Sequence, residues 1–275
     1  MSFLRELIKA YDKLPDHKKP EYGYSLGKAS YCINLKDDGN DFEVIDIRQS
    51  QNNNALPKNL FLPFAPTRSG SKINPHFLWD NIEYVLGSYK LNEKTGRIEL
   101  DQTNLSKHKE FKKKHLEFLL QKNEQIEIKA FCNFIKSWEA NGDQLEKLLN
   151  VIPFPNESKG DNFVFAHENS YQETFLHEDP NIKEVWLNYM NEWNEDERIQ
   201  GTCFLTGNTG TIQRLHPLIK GVYGSHTKGA PLISFNKNSF NSFGRKQGYN
   251  APVSGRSTFY YSTALNAFLN DEQHK

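Results

Sequence analysis

From Arg198 to Asn270 the chain runs 73 residues without one Asp or Glu, yet carries eight cations: Arg198, Arg214, Lys220, Lys228, Lys237, Arg245, Lys246 and Arg256. Ten aromatic residues lie among them, and Gly221, Gly224, Gly229, Gly244, Gly248 and Gly255 punctuate the run. Repeated glycine predicts turns and irregular connections here, not long regular elements. The formal net charge of zero hides the asymmetry. Residues 1–197 hold 25 basic and 32 acidic side chains, whereas residues 198–275 hold 9 and 2. A stretch cleared of carboxylates suggests a surface that faces a polyanion, above all a nucleic-acid backbone. The plainer reading is a polar Ser/Asn/Gly-rich loop region with little selection on its charge.

A chain of 275 residues can bury a real core, as one large domain or two small ones. Cys32, Cys132 and Cys203 are far apart and have no CxxC spacing, which argues against a disulfide framework or a zinc finger. They fit a reducing cytoplasm, each as a small buried apolar residue. No apolar run nears the roughly 20 residues that span a bilayer. The charged first 14 residues carry no signal-peptide core, so no membrane partner is expected.

The apolar spacing changes along the chain. Phe3, Leu4, Leu7, Ile8, Tyr11 and Leu14 predict an amphipathic helix stopped by Pro15. Ala29–Leu35 and Phe42–Ile47 read as strands joined by a turn over residues 36–41. Residues 105–123 and 126–139 have helical spacing, and Gln144–Leu149 adds a turn. Short strands are expected at Phe163–His167 and Thr174–His177, then a helix started by Asp179-Pro180 that runs through Trp193. The basic segment opens with a hairpin, Thr202–Thr206 and Thr211–Leu215 about a Gly207–Gly210 turn, and Thr258–Asn270 is a last helix. This is an α+β pattern: β-hairpins and antiparallel sheet at both ends of the chain, with a helical middle. The hairpins could form one continuous sheet with the helices on one face.

Several short constellations invite chemistry. Gly221-Val222-Tyr223-Gly224 spells the GxxG of KH domains, but without convincing flanking helices. Gly207–Gly210 lacks the Gly-Lys-Ser/Thr of a phosphate-binding loop. His216 and His226 invite a metal or general-base role, yet the basic segment supplies no carboxylate for a nuclease metal, and a structural turn is the commoner use of a His before Pro. Lys107, Lys109, Lys112, Lys113 and Lys114 read first as the solvated face of a helix. The polar loop Arg68–Asn74, with Arg68 and Lys72, suits phosphate or groove contacts, or is an exposed linker. No catalytic residue, metal or cofactor is assigned.

Longer blocks are more specific. Thr67–Gly87 (TRSGSKINPHFLWDNIEYVLG), Arg214–Val222 (RLHPLIKGV), Leu232–Asn236 (LISFN), Phe240–Gly244 (FNSFG), Gln247–Ser254 (QGYNAPVS) and Tyr261–Asn266 (YSTALN) resemble, in order, blocks of the large subunit of the type I-C CRISPR Cascade surveillance complex. Members of that family continue into a helical C-terminal domain, whereas this chain stops at Lys275. The resemblance therefore makes residues 1–275 the N-terminal domain, with an acidic, helical part (1–197) and a basic, nucleic-acid-facing part (198–270).

The resemblance implies a non-catalytic, cytoplasmic role in antiviral defence. The subunit would read the protospacer-adjacent motif in double-stranded target DNA and begin strand separation beside the 5′ handle of the guide RNA. Its further partners would be the guide-end-binding and backbone subunits and a helicase–nuclease recruited after target binding. On that reading Lys220, Lys228, Arg245 and Lys246 contact phosphate, and Asn74, Asn236, Gln247 and Asn250 probe base edges. Arg68, Lys72 and Arg214 complete the DNA-binding set. The alternatives are a protein or guide-RNA docking module without motif readout, and a metal-dependent nuclease.

Overall fold

The computed structural model describes all residues except 1, 53, 66–67, 69–72, 93, 96, 102–104, 120–124, 140–141, 153–159, 169–173, 193–198, 227–228 and 271–275. The chain divides into two compact units, Gly23–Met190 and a second made of Met1–Tyr22 with Asn191–Lys275. In chain order the elements are α1 (Phe3–Asp12), β1 (Tyr24–Ala29), β2 (Tyr31–Lys36), β3 (Asp41–Asp46), β4 (Gln49–Gln51), β5 (Asn54–Leu56), β6 (Lys58–Pro63), β7 (Trp79–Asn81) and α2 (Ile82–Val85). There follow β8 (Tyr89–Asn92), β9 (Arg97–Leu100), α3 (Ser106–Leu119), α4 (Ile126–Ser137), α5 (Gly142–Leu149), β10 (Asn162–His167) and α6 (Pro180–Glu192). The chain closes with β11 (Gln200–Thr202), β12 (Thr209–Thr211), β13 (Leu218–Ile219), β14 (Ala230–Pro231) and α7 (Gly255–Leu269). The fold is mixed α+β, with strands towards both ends and helices between.

In the Gly23–Met190 unit a four-stranded sheet has the order β3-β2-β10-β7. The turn after β2 reverses the chain into antiparallel β3, whereas β10 joins β2 in parallel only after β3–β9 and α2–α5 have intervened. β2 is buried on both faces, so its residues from Tyr31 to Leu35 are all buried and no polar alternation shows in the sequence. Tyr31, Ile33, Leu35, Phe163 and Phe165 point to the core shared with α3 and α4. Cys32, Val164 and Ala166 point the other way, onto Leu60 and Leu62 of the β1–β6 pair.

Phe165 meets Phe131 of α4 edge-on at 4.8 Å and is fully buried. Truncating such a phenylalanine to alanine costs about 3–5 kcal/mol. Gly39, at φ +89°, lets the β2–β3 turn touch α4, because a Cβ there would lie 1.9 Å from the carbonyl oxygen of Ala130.

Several expectations change. The strands do not form one continuous sheet: the described residues hold the four-stranded sheet and five separate two-stranded ones. Thr174–His177 is not a strand. Glu178 reaches back to accept the N–H of Phe175 at 2.8 Å and winds Leu176–Glu178 into a 3₁₀ turn. Asp179 then caps α6, accepting from the N–H groups of Asn181 and Ile182 at 2.9 and 3.1 Å. The hairpin of the basic segment is displaced from the expected strands: Gln200–Thr202 pairs with Thr209–Thr211, and the turn covers residues 203–208, because Cys203 and Leu205, expected in the first strand, turn into the core instead. The β8–β9 hairpin, which the sequence reading did not anticipate, pairs Tyr89–Asn92 with Arg97–Leu100.

In the other unit α1 lies against α7. Leu7, Tyr11 and Leu14 pack with Cys203, Leu205, Val253, Tyr261 and Ala264. Tyr11 meets the rings of Tyr260 and Phe259 at 4.6 and 5.9 Å. Ser254 caps α7 by accepting from the N–H of Ser257 at 3.3 Å. All three cysteines are free and buried. Among the described residues, no helix is long and apolar enough to cross a membrane.

Candidate nucleic-acid interface

The carboxylate-free segment has few regular elements, so turns and side-chain hydrogen bonds hold its loops. The best organised is Ser242–Asn250. Asn250 accepts the N–H of Ser242 at Oδ1 (2.9 Å) and donates from Nδ2 to the carbonyls of Arg245 and Gln247 (3.0 Å each). Its amide thus builds the loop. Inside it, Ser242 and Arg245 bridge a tight turn, with Phe243 and Gly244 at φ +50° and +71°. Positive φ at both central residues is the type I′ pattern, in which Asn, Asp or Gly normally stands first. A phenylalanine there costs roughly 1–2 kcal/mol.

This loop receives Arg214. Its Nη1 donates to Oε1 of Gln247 at 2.8 Å, and its carbonyl accepts the N–H of Gly248 at 2.9 Å. Gly248 allows the approach: a Cβ would fall 2.5 Å from the carbonyl oxygen of Arg214 and 2.6 Å from that of Gln213. The structure therefore gathers Arg214, Arg245, Lys246, Gln247 and Asn250 on one loop. Arg214, Arg245 and Lys246 are exposed, and Gln247 is half-buried.

Lys220 sits elsewhere in the unit. Asn266 of α7 accepts its backbone N–H at 2.8 Å and donates to the carbonyl of Leu218 at 3.1 Å, and the lysine side chain is exposed. The Gly221–Gly224 turn that follows has strand β13 before it, and among the described residues no helix borders it, unlike the helix-flanked GxxG of a KH domain. Asn236 is exposed. Lys228 and Lys72 lie outside the described residues.

Arg68 and Asn74 belong to the Gly23–Met190 unit. The guanidinium of Arg68 pairs with Asp80, donates from Nε to the carbonyl of Asn74 at 2.9 Å and lies 4.0 Å from the ring centre of Tyr84. Asp80 is fully buried and also accepts the N–H groups of His76 and Asn81 at 2.9 and 2.8 Å. Burial pushes its carboxyl up, and the Arg68 guanidinium pulls it back. Arg68 thus clasps the base of its own loop. On α3, Lys107 pairs with Glu83, while Lys112 and Lys114 donate to the carbonyls of Lys136 and Pro75 at 2.8 and 2.7 Å.

His216 is buried, with Nδ1 2.6 Å from the hydroxyl of fully buried Tyr261. Burial holds its imidazole down at about 4, so it is neutral near pH 7 and anchors the chain before Pro217. Among the described residues, no group of three or more His, Cys, Asp or Glu is placed to hold a metal ion.

The sequence reading counted ten aromatics in the basic segment without showing which are the most exposed. Tyr223 and Phe243 have relative exposures of 104% and 97%. Aromatic content alone could not separate them from buried Tyr249 and Tyr261. The usable signal was a Gly directly after each, at φ +77° and +71°, whereas Tyr249 has its Gly before it. A family model described as CRISPR-associated protein (Cas_Csd1) matches residues 7–275. No curated protein matches the chain.

Proposed function

The chain belongs to the CRISPR-associated Csd1 family, and on that premise we propose that it is a non-catalytic large subunit of a type I-C Cascade complex. In this role it binds duplex target DNA at the protospacer-adjacent motif, in the cytoplasm, and helps open the strands beside the 5′ handle of the guide RNA. Guide pairing reads the long sequence, and the protein reads only the short motif.

The observation that supports this reading is the Ser242–Asn250 loop. It draws three exposed cations, Arg214, Arg245 and Lys246, and one amide, Gln247, out of a 73-residue stretch that holds no carboxylate. The sequence around these cations supplies no carboxylate from 198 to 270, and phosphate is the partner that such a surface suits. Gln247 stands among them as the residue type that reads adenine edges in the major groove. Lys220 and Asn236 are further contacts on this reading.

The test is fluorescence anisotropy with short duplexes that differ only at a three-base motif, with guide-handle RNA as competitor. The proposal requires duplex affinity that changes with the motif. Binding indifferent to the motif, or a clear preference for the handle RNA, would replace it with a docking role, in which the same face meets the guide RNA or a partner subunit.

A further inference from the structure

Phe243 combines three features seldom found together. Its side chain is 97% exposed. Its backbone is left-handed at φ +50°, a region that bulky residues avoid. Its turn is nevertheless fixed, because Asn250 binds Ser242, Arg245 and Gln247 at once. An apolar ring carried into water on a fixed turn, in a strained backbone conformation that asparagine or glycine would relieve, points to function rather than folding. The next two side chains along the chain are cations apart from Gly244: Arg245 and Lys246. Tyr223 differs. The left-handed positions of its turn are Gly221 and Gly224, so the tyrosine itself carries no strain.

We infer that Phe243 is a base-stacking post: its ring lies against an unpaired nucleobase, while Arg245, Lys246 and Arg214 hold the adjoining phosphates. Every base has a π face, so such a contact tolerates any sequence. A rigid turn holds the ring ready for the base and leaves little order to be imposed on binding. This inference rests on the nucleic-acid reading and adds to it the state of the bound base.

The test compares the full chain with Phe243→Asn and Phe243→Tyr. The ligands are a DNA fork carrying 2-aminopurine at the first unpaired position and a fully paired duplex of the same sequence. Asparagine suits the left-handed position, so Phe243→Asn should fold at least as stably as the parent. Its affinity for the fork should fall roughly 5- to 150-fold, with duplex affinity changed less than about twofold. The 2-aminopurine quenching seen with the parent should vanish in Phe243→Asn and persist in Phe243→Tyr. Equal fork affinity and equal quenching in parent and Phe243→Asn would overturn the stacking role while leaving the nucleic-acid reading intact. A parent that binds neither DNA would overturn both.

Discussion

Arg214 is tied to the loop through Gln247: its guanidinium donates to the Gln247 amide oxygen at 2.8 Å, while the carbonyl of the same arginine holds the N–H of Gly248 at 2.9 Å. The chain after β12 and the loop carrying Arg245 and Lys246 are thereby fixed as one surface. If Gln247 serves partly to orient Arg214, Gln247→Ala should weaken duplex binding about two- to tenfold, the worth of one hydrogen bond. The salt dependence should stay the same, because no cation is lost. A changed salt slope would show that the loop itself had rearranged.

Gly248 fills a place that no side chain can. Gly248→Ala would drive Cβ against two backbone carbonyls, neither able to swing aside, and should destabilise the chain by about 1–3 kcal/mol. Gly210→Ala is the control, since its Cβ would meet only the Ser254 side chain at 4.0 Å. Urea denaturation should separate the two variants clearly.

His115 gives the fold a pH dependence. Its Nε2 accepts the N–H of Leu78 at 3.0 Å, and Nδ1–H donates to the carbonyl of Phe111 at 2.8 Å, so the neutral ring is required. Burial holds its pKa down at about 3, against an ordinary 6.5. The folded value lies below the unfolded one, so this stabilisation is whole above about pH 6.5. It is lost as pH falls from there towards 3, by about 1.4 kcal/mol per pH unit. His76 and His177, also held at about 3 by burial, add to the slope. His115→Gln keeps a donor and an acceptor but cannot titrate. Unfolding followed through Trp79, Trp138 and Trp186 should show a shallower pH dependence for this variant.

Asp80 should be more important to stability than to binding. It is buried, and Arg68 is its charged partner. Asp80→Asn leaves the guanidinium without its counter-charge and should cost about 3–5 kcal/mol by urea denaturation. Arg68→Ala should cost a similar amount. The double variant should cost much less than the two added, because both remove one interaction. Additive losses would show that Arg68 acts elsewhere.

The long periodic elements were legible in the sequence: α1, α3, α4 and α7 lie close to their apolar stripes, and the β2–β3 hairpin lies at its turn signal. The role of β2 as a doubly covered central strand was not, because its parallel partner β10 arrives more than a hundred residues later. The charge asymmetry pointed to the basic segment, but charge does not say which cations share a loop. That came from Asn250 and Gly248, whose work is a set of backbone contacts that composition does not register. Arg68 looked like a free cation in a polar loop, since the sequence could not show that Asp80, twelve residues on, folds back beneath it.

The most direct test of the account is the salt dependence of duplex binding by the parent chain and by one variant carrying Arg214→Ala, Arg245→Ala and Lys246→Ala. If each cation neutralises one phosphate, the slope of log affinity against log salt should fall by about 0.9 per residue, roughly 2.7 for the three. An unchanged slope in a folded triple variant would contradict the account and remove this loop from the DNA-binding surface.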